Sequence, residues 1–297
     1  QGVSSAASDV YKRQVYDIDS HACIVDGVRL HVGKRFTFQH NDIESLEKNI
    51  IRAQKIVDKT GGGILVISEG VFGMRGEQGK IKEIVELKKK YDFRLLVDDA
   101  HGFGTLGDDG SGVGKEQNVM DDIDVYFATF AKSLASTGAF VAGSKNVIKF
   151  LKYNMRSQMF AKSLQMQLVV GAIKRLEILK NEPQHREKLW KNVKALQTGL
   201  VKSGFDIGTT KSCVTPVFLK GDVPEAMVLV KDLREKYNIF CSIVVYPVIP
   251  KGLILLRLIP TATHTIEDIN ETLDSFLAIR DKLQNGYYKK LSERISV

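Results

Sequence analysis

Between residues 40 and 145 the chain alternates amphipathic stretches with short, unbroken apolar runs. Residues 41–58 set Ile43, Leu46, Ile50 and Ile51 at helical spacing, and Gly61-Gly62-Gly63 stops the pattern. The run Ile64-Leu65-Val66-Ile67 is apolar at every position, which fits a strand covered on both faces of a parallel sheet. The alternation then repeats. A helix is predicted over 81–91 with Ile81, Ile84, Val85 and Leu87 inward, then a strand from Arg94 ending at Asp98. A glycine-rich loop through Gly114, a strand running from Asp124 up to Lys132, and a strand over 139–142 follow. Helix and strand in turn predict an α/β fold, a mostly parallel sheet flanked by helices.

Beyond a helix over 163–180 and Pro183 the pattern changes. Helices over 186–202, 224–236 and 266–283 and strands over 213–219, 239–246 and 253–259 predict a smaller C-terminal α+β domain. Thr265 and Asp268 are spaced as a capping pair for the last helix. The expected division is a large domain over 15–165, and a connecting helix with the small domain over 166–297. Residues 1–14 show no periodicity and no initiating Met, and are expected to be a non-native segment outside the fold.

Composition removes several functions. A chain of 297 residues, 43% hydrophobic and 26% charged, can bury a sizeable core. The net charge of +8 is spread along helices, as at Lys88-Lys89-Lys90, with no basic arm and no aromatic-basic motif, so nucleic-acid binding is not expected. Cys23, Cys213 and Cys241 lie far apart, without CxxC or zinc spacing, which predicts no metal and fits a reducing cytoplasm. No apolar run approaches the roughly 18 residues a membrane span needs.

The candidate chemistry sits at strand ends, where open α/β sheets gather ligands. One strand ends at Asp98-Asp99-Ala100-His101, another reaches Lys132 followed by small residues. An amine, a carboxylate and an imidazole delivered together suit pyridoxal 5'-phosphate (PLP): the lysine forms the Schiff base and the acid keeps the pyridine nitrogen protonated. Asp98 is the candidate acid, and Asp99, pointing to the other face of the chain, the weaker one. His101 is a candidate donor to the cofactor, and His21 a candidate to stack on its ring; either could be structural. Arg257 interrupts the apolar strand Leu253-Ile-Leu-Leu-Arg257-Leu-Ile. A charge there needs a partner, either a substrate anion or a structural salt bridge.

Ser20-His21-Ala22, Phe38-Gln39-His40-Asn41-Asp42, Glu69-Gly70-Val71-Phe72, Asp98-Asp99-Ala100-His101-Gly102-Phe103-Gly104 and Thr129-Phe-Ala-Lys132-Ser133 occur in that order. Together they resemble the α-oxoamine synthases, PLP enzymes of fold type I, over about Val15 to Leu283. The stretches 69–80, 121–127 and 156–164 are most similar to the bacterial serine palmitoyltransferase branch. That resemblance implies decarboxylating condensation of L-serine with a long-chain acyl-CoA, palmitoyl-CoA, to 3-ketodihydrosphingosine. It implies a cytoplasmic homodimer with the active site shared between subunits and peripheral contact with the inner membrane. The alternatives are a sibling using glycine or alanine, and a non-catalytic subunit on the same fold.

The resemblance assigns Lys132 to the cofactor aldehyde and the substrate α-proton, Asp98 to the pyridine nitrogen and His101 to the phenolate oxygen. It places His21 on the ring and the substrate carboxylate, Thr129 on the phosphate, and Arg257, ahead of Thr261-Ala-Thr-His264, on the amino-acid carboxylate. The chain also departs from the family. Ala131 stands in place of a phosphate-binding Ser, Gly73 in place of a Ser found in some siblings, and Ala161-Lys162-Ser163 in place of Ser-Thr-Ser. Lys162 is expected to replace hydroxyl contacts to phosphate with a charge. Family members also carry a glycine-rich, substrate-binding segment ahead of Ser-His-Ala that has no counterpart here, so the chain is expected to be a fragment.

Overall fold

The structure, a computed structural model, describes residues 12–246 and 248–295. They form two compact units: residues up to Phe72 with Gln78–Glu182, and Gly73–Glu77 with the chain from Pro183 onward.

In chain order the first unit runs β1 (Lys12–Asp17), α1 (Ala22–Arg29), β2 (Arg35–Phe38), α2 (Ile43–Thr60), β3 (Gly63–Glu69), α3 (Ile81–Leu87), β4 (Arg94–Asp98), α4 (Val113–Glu116), β5 (Val125–Thr129), β6 (Ala139–Gly143), α5 (Lys145–Asn154), α6 (Arg156–Met159) and α7 (Met166–Asn181). Its six strands lie in the order β2-β1-β3-β4-β5-β6. All neighbours are parallel except β5 and β6. Val15, Val66, Leu95, Val97 and Ala128 along its middle are fully buried, which is why these strands read as continuous apolar runs. On one face Ile24 and Val28 of α1 pack with Ile67, Leu96 and Val125. Leu46, Ile50 and Ala53 of α2 are fully buried, and the Asp42 side chain caps that helix by accepting the Ser45 N–H at 3.0 Å.

Two expectations are corrected here. Lys12, Arg13 and Gln14 are not outside the fold: they pair with Gly63, Ile64 and Leu65 of β3, and Arg13 and Gln14 are buried. Polar side chains in a strand covered on both sides hid it from a hydrophobicity pattern. Residues 1–11 of the expected non-native segment lie outside the described residues. β5 also stops at Thr129, so Lys132 stands in a turn beyond the strand rather than at its tip.

The second unit contains α8 (Gln184–Lys202), β7 (Thr215–Lys220), α9 (Val223–Tyr237), β8 (Ser242–Val244), β9 (Leu253–Leu258), α10 (Ile266–Gln284) and α11 (Tyr287–Ile295). Its sheet is antiparallel, order β7-β9-β8, with a core that includes Leu200, Val217, Leu229, Ile254 and Phe276. Thr265 and Asp268 form the full capping box of α10. α11 is fastened by the Tyr288 hydroxyl, which donates to Asp232 Oδ2 at 2.7 Å beside the Lys282–Asp232 ion pair. The second unit takes up the chain at Pro183, directly after the expected connecting helix, α7. Gly73–Glu77 joins the second unit because Gly76 O accepts from Thr210 Oγ1 and Lys211 N, both at 3.1 Å. No helix among the described residues is long and apolar enough to cross a membrane.

If β1 is a true inner strand, Gln14→Pro removes a ladder N–H between β2 and β3. We expect it to lower stability by about 3 kcal/mol, read as a drop in the urea midpoint; an unchanged midpoint would contradict the strand.

Candidate active site

Three neighbouring strands end in buried carboxyls: Asp17 on β1, Glu69 on β3 and Asp98 on β4. Glu69 and Asp98 are direct register partners, so their side chains stand together at the carboxyl edge of the sheet. Burial drives Asp98 upward from its ordinary carboxylate value, while the Ala100 N–H at 3.0 Å, Lys132 and His21 pull it back. The structure thus brings together Asp98, Lys132 and His21, as the sequence predicts. It adds Glu69, whose carboxyl burial and the Asp98 charge push up to about 8.

The turn carrying Lys132 is fastened at both ends. Ser136 N–H donates to Phe130 O at 2.9 Å, Phe130 N–H to Gly138 O at 2.9 Å and Ala135 N–H to Lys132 O at 3.0 Å. Thr129 Oγ1 donates to Gly138 O and accepts from Ala131 N, each at 3.2 Å, so this hydroxyl shapes the Lys132 turn. Gly104 abuts Ser133: a Cβ on Gly104 would lie 2.4 Å from the Ser133 Cβ. The loop after β4 and the Lys132 turn are therefore packed together, with half-buried His101 at the start of that loop.

His21 caps α1. Its Nδ1 accepts the Cys23 N–H at 3.2 Å and lies 3.1 Å from Cys23 Sγ, which leaves Nε2 to carry the proton of a neutral ring. Its own backbone N–H donates to Glu69 Oε1 at 2.5 Å. Upstream, Asp17 Oδ1 accepts from Asp19 N at 2.9 Å and from His40 Nδ1 at 3.0 Å, and Oδ2 from Asn41 N at 2.9 Å. This gives the Phe38–Asp42 motif a purpose: it clamps the turn that presents His21.

Asp99 is structural. Its Oδ2 accepts from Val113 N at 2.7 Å and from the Tyr126 hydroxyl at 2.8 Å, and burial pushes its carboxyl to about 7. A Cβ on Gly70, Gly102 or Gly112 would lie 2.0, 2.1 or 2.0 Å from that carboxylate, so these three positions admit only glycine. Two expected residues stand differently. Lys162 is exposed, two residues from Leu164, which lies over Gly138, and its amine makes no hydrogen bond or ion pair among the described residues. Arg257, described within the second unit, has no ion pair among the described residues. Its Nε is buried without a partner, Nη1 lies 4.0 Å from Met74 Sδ, and burial lowers its pKa. The structural salt bridge considered for it is therefore absent.

Among the described residues Asp98 is a buried carboxylate with one hydrogen bond and no ion pair, beside an amine and an imidazole. A protonated ring nitrogen completes that arrangement, so these residues fit PLP. No group of three or more metal-ligating side chains occurs among the described residues.

The model of the aminotransferase class I and II family matches residues 13–276. The chain belongs to that family. Among these aminotransferase-class proteins it is 67% identical to a cysteate-C-fatty acyltransferase of Capnocytophaga ochracea, over 95% of this chain and 67% of the relative. It is 36% identical to a serine palmitoyltransferase of Sphingobacterium spiritivorum, over 89% of this chain and 64% of the relative. A serine palmitoyltransferase from S. paucimobilis, solved with PLP bound, superposes at a TM-score of 0.86 with 32% identity, covering 93% of this chain and 68% of that one. The chain is thus an α-oxoamine synthase of fold type I with PLP as its cofactor, and spans about two thirds of the length of these relatives.

Asp99→Ala strands the Val113 N–H in a dry interior and leaves the Tyr126 hydroxyl with Ser111 O as its acceptor. A loss of about 2–4 kcal/mol in unfolding free energy is expected; a loss below about 0.5 kcal/mol would remove Asp99 from this role.

Proposed function

We propose that the complete protein condenses a small amino acid with a long-chain fatty acyl thioester such as acyl-CoA, and that the amino acid is cysteate. The observation that carries the substrate is the 67% identity to a cysteate-C-fatty acyltransferase, against 36% to a serine palmitoyltransferase. The second reading is L-serine with palmitoyl-CoA, giving 3-ketodihydrosphingosine, supported by the TM-score of 0.86 to a serine palmitoyltransferase structure. A non-catalytic subunit has little behind it, since Lys132, Asp98, His21 and His101 are all retained.

The chemistry PLP supplies here is an electron sink for the pair released when the amino-acid Cα loses its proton. Lys132 would hold the cofactor covalently, and its amine would accept and return the Cα proton. Its fastened turn keeps the amine aimed at one atom. Asp98 keeps the ring nitrogen protonated, which its burial and single hydrogen bond suit it to do. His101 donates to the phenolate oxygen. His21, with Nδ1 turned to the Cys23 N–H, would cover the ring and offer Nε2 to the substrate carboxylate. Thr129 and Lys162 serve the phosphate, Thr129 by shaping the turn beside it. Arg257 binds the amino-acid carboxylate; its buried, unpartnered Nε supports an anion as its missing partner. A Cα–C bond then forms to the acyl carbon, the thiolate leaves, and carbon dioxide is lost from the former carboxylate.

A homodimer is the assembly we propose, in keeping with the exposed Met166, Val170 and Ile173 stripe on α7. A cytoplasmic setting agrees with three cysteines free of disulfides, and peripheral membrane contact would follow from a long acyl chain.

Offered cysteate, serine, glycine and alanine with palmitoyl-CoA, the full-length protein is expected to release CoA fastest with cysteate; faster release with serine would favour the second reading. Arg257→Ala should raise KM for the amino acid by roughly 10–100-fold with little change in KM for the acyl donor; equal effects on both would argue against the carboxylate role. Lys132→Ala should abolish the visible absorbance of bound PLP; full absorbance would refute the attachment.

A further inference from the structure

The loop between α1 and β2 turns two large apolar side chains into solvent: Leu30 is 73% and Val32 82% exposed. This loop is anchored. His31, between them, is buried with Nε2 2.9 Å from Lys12 O, and a Cβ on Gly33 would lie 2.3 Å from that ring nitrogen and 2.9 Å from the same carbonyl. His31 and Gly33 therefore hold the loop against the start of β1 while Leu30 and Val32 stand out. Lys12 also reaches toward α5, its Nζ 5.5 Å from the centre of the Phe150 ring. That helix packs Val147 and Leu151 inward and leaves Phe150 and Tyr153, about one turn apart, exposed. Lys149 and Lys152 are exposed beside them, with Lys152 Nζ 6.0 Å from the centre of the Tyr153 ring. Lys34 and Arg35 are exposed at the end of the loop. Neither segment carries an acid: none occurs in the sequence from 27 to 41 or from 125 to 176. Asp26, just ahead of the loop, is paired with Arg29. One face thus sets apolar tips among cations.

We propose that this face, the 30–35 loop together with α5, docks the enzyme on an anionic lipid bilayer. Apolar side chains ringed by lysine and arginine suit a headgroup layer: the tips enter the acyl boundary while the cations meet lipid phosphates. An aromatic ring beside a lysine, as at Tyr153, suits the same depth. A second copy of the chain suits this face less, because a two-fold contact through it would set cations against cations. No helix among the described residues is long and apolar enough to cross a membrane, so the contact is with one surface of the bilayer. The inference deepens the proposed function, and its purpose rests on that reading: a product carrying a long acyl chain leaves into a bilayer more readily than into water.

The test is cosedimentation of the full-length protein with two sets of vesicles, one equimolar in phosphatidylcholine and phosphatidylglycerol, the other phosphatidylcholine alone. Wild type should bind the anionic set roughly tenfold or more tightly, and should lose that advantage as salt rises from about 0.1 M to about 1 M. Leu30→Ser combined with Val32→Ser should weaken binding to the anionic set by roughly tenfold or more. Lys149→Glu combined with Lys152→Glu should do the same through charge, by roughly tenfold or more. All four side chains are exposed, so both variants should keep the wild-type urea midpoint. If the serine variant does not fold, Val32→Trp decides: its fluorescence, less that of Trp190 in wild type, must shift to the blue on anionic vesicles. Equal binding to the two vesicle sets, unchanged binding in either double variant, or an unshifted Val32→Trp spectrum would overturn the proposal. So would loss of a dimer in the double variants, read by sedimentation velocity, since the face would then be a contact between subunits. CoA release from a short-chain, water-soluble acyl-CoA, measured without vesicles, should be the same in wild type and both variants. No CoA release by wild type would instead sink the acyl-transfer reading and leave the vesicle result standing.

Discussion

Burying carboxyls at the ends of adjacent parallel strands is the constraint from which the rest of this site follows. Asp17, Glu69 and Asp98 terminate β1, β3 and β4 with at most 7% exposure each. Three anions in so dry a corner repel one another and lose hydration, so each needs its own answer. Asp17 is answered by His40 and two backbone N–H groups; Glu69 accepts the His21 N–H, and burial and Asp98 push its carboxyl up to about 8. Asp98 accepts a single hydrogen bond, from the Ala100 N–H, and has no ion pair among the described residues, a setting that fits a cationic ring nitrogen.

The same corner explains why so much sequence is devoted to turns. Asp17 and Glu69 grip the two ends of the segment leading to His21. Asp99, one residue past Asp98, organises the glycine loop, and Gly70, Gly102 and Gly112 are small because their Cβ atoms would collide with it. The loop so formed packs through Gly104 against Ser133, next to the reactive lysine. The proposed cofactor acid and the loop-organising acid are therefore adjacent residues, Asp98 and Asp99.

The α/β alternation and the pairing of Asp98 with Lys132 were legible because buried parallel strands are apolar without interruption, and such runs end where the chemistry begins. Three things were not. β1 carries Arg13 and Gln14 inside the sheet, and no apolar period marks it. Glu69 ends an apolar run as Asp98 does, and that parallel was the available signal; its register with Asp98 requires knowing that β3 and β4 are neighbours. The interval between Thr129 and Lys132 is set by a hydrogen-bonded turn that leaves no hydrophobic trace. Arg257 was flagged by its intrusion into an apolar strand, and no ion pair reaches it among the described residues.

The central claim is that one amine, on the turn beyond β5, carries the cofactor covalently opposite a buried acid. Borohydride reduction of the intact PLP-loaded protein, followed by proteolysis and mass mapping of the pyridoxyl label, tests it most directly. The account predicts the label on Lys132 alone; a label on any other side chain, with Lys132 unmodified, would contradict it.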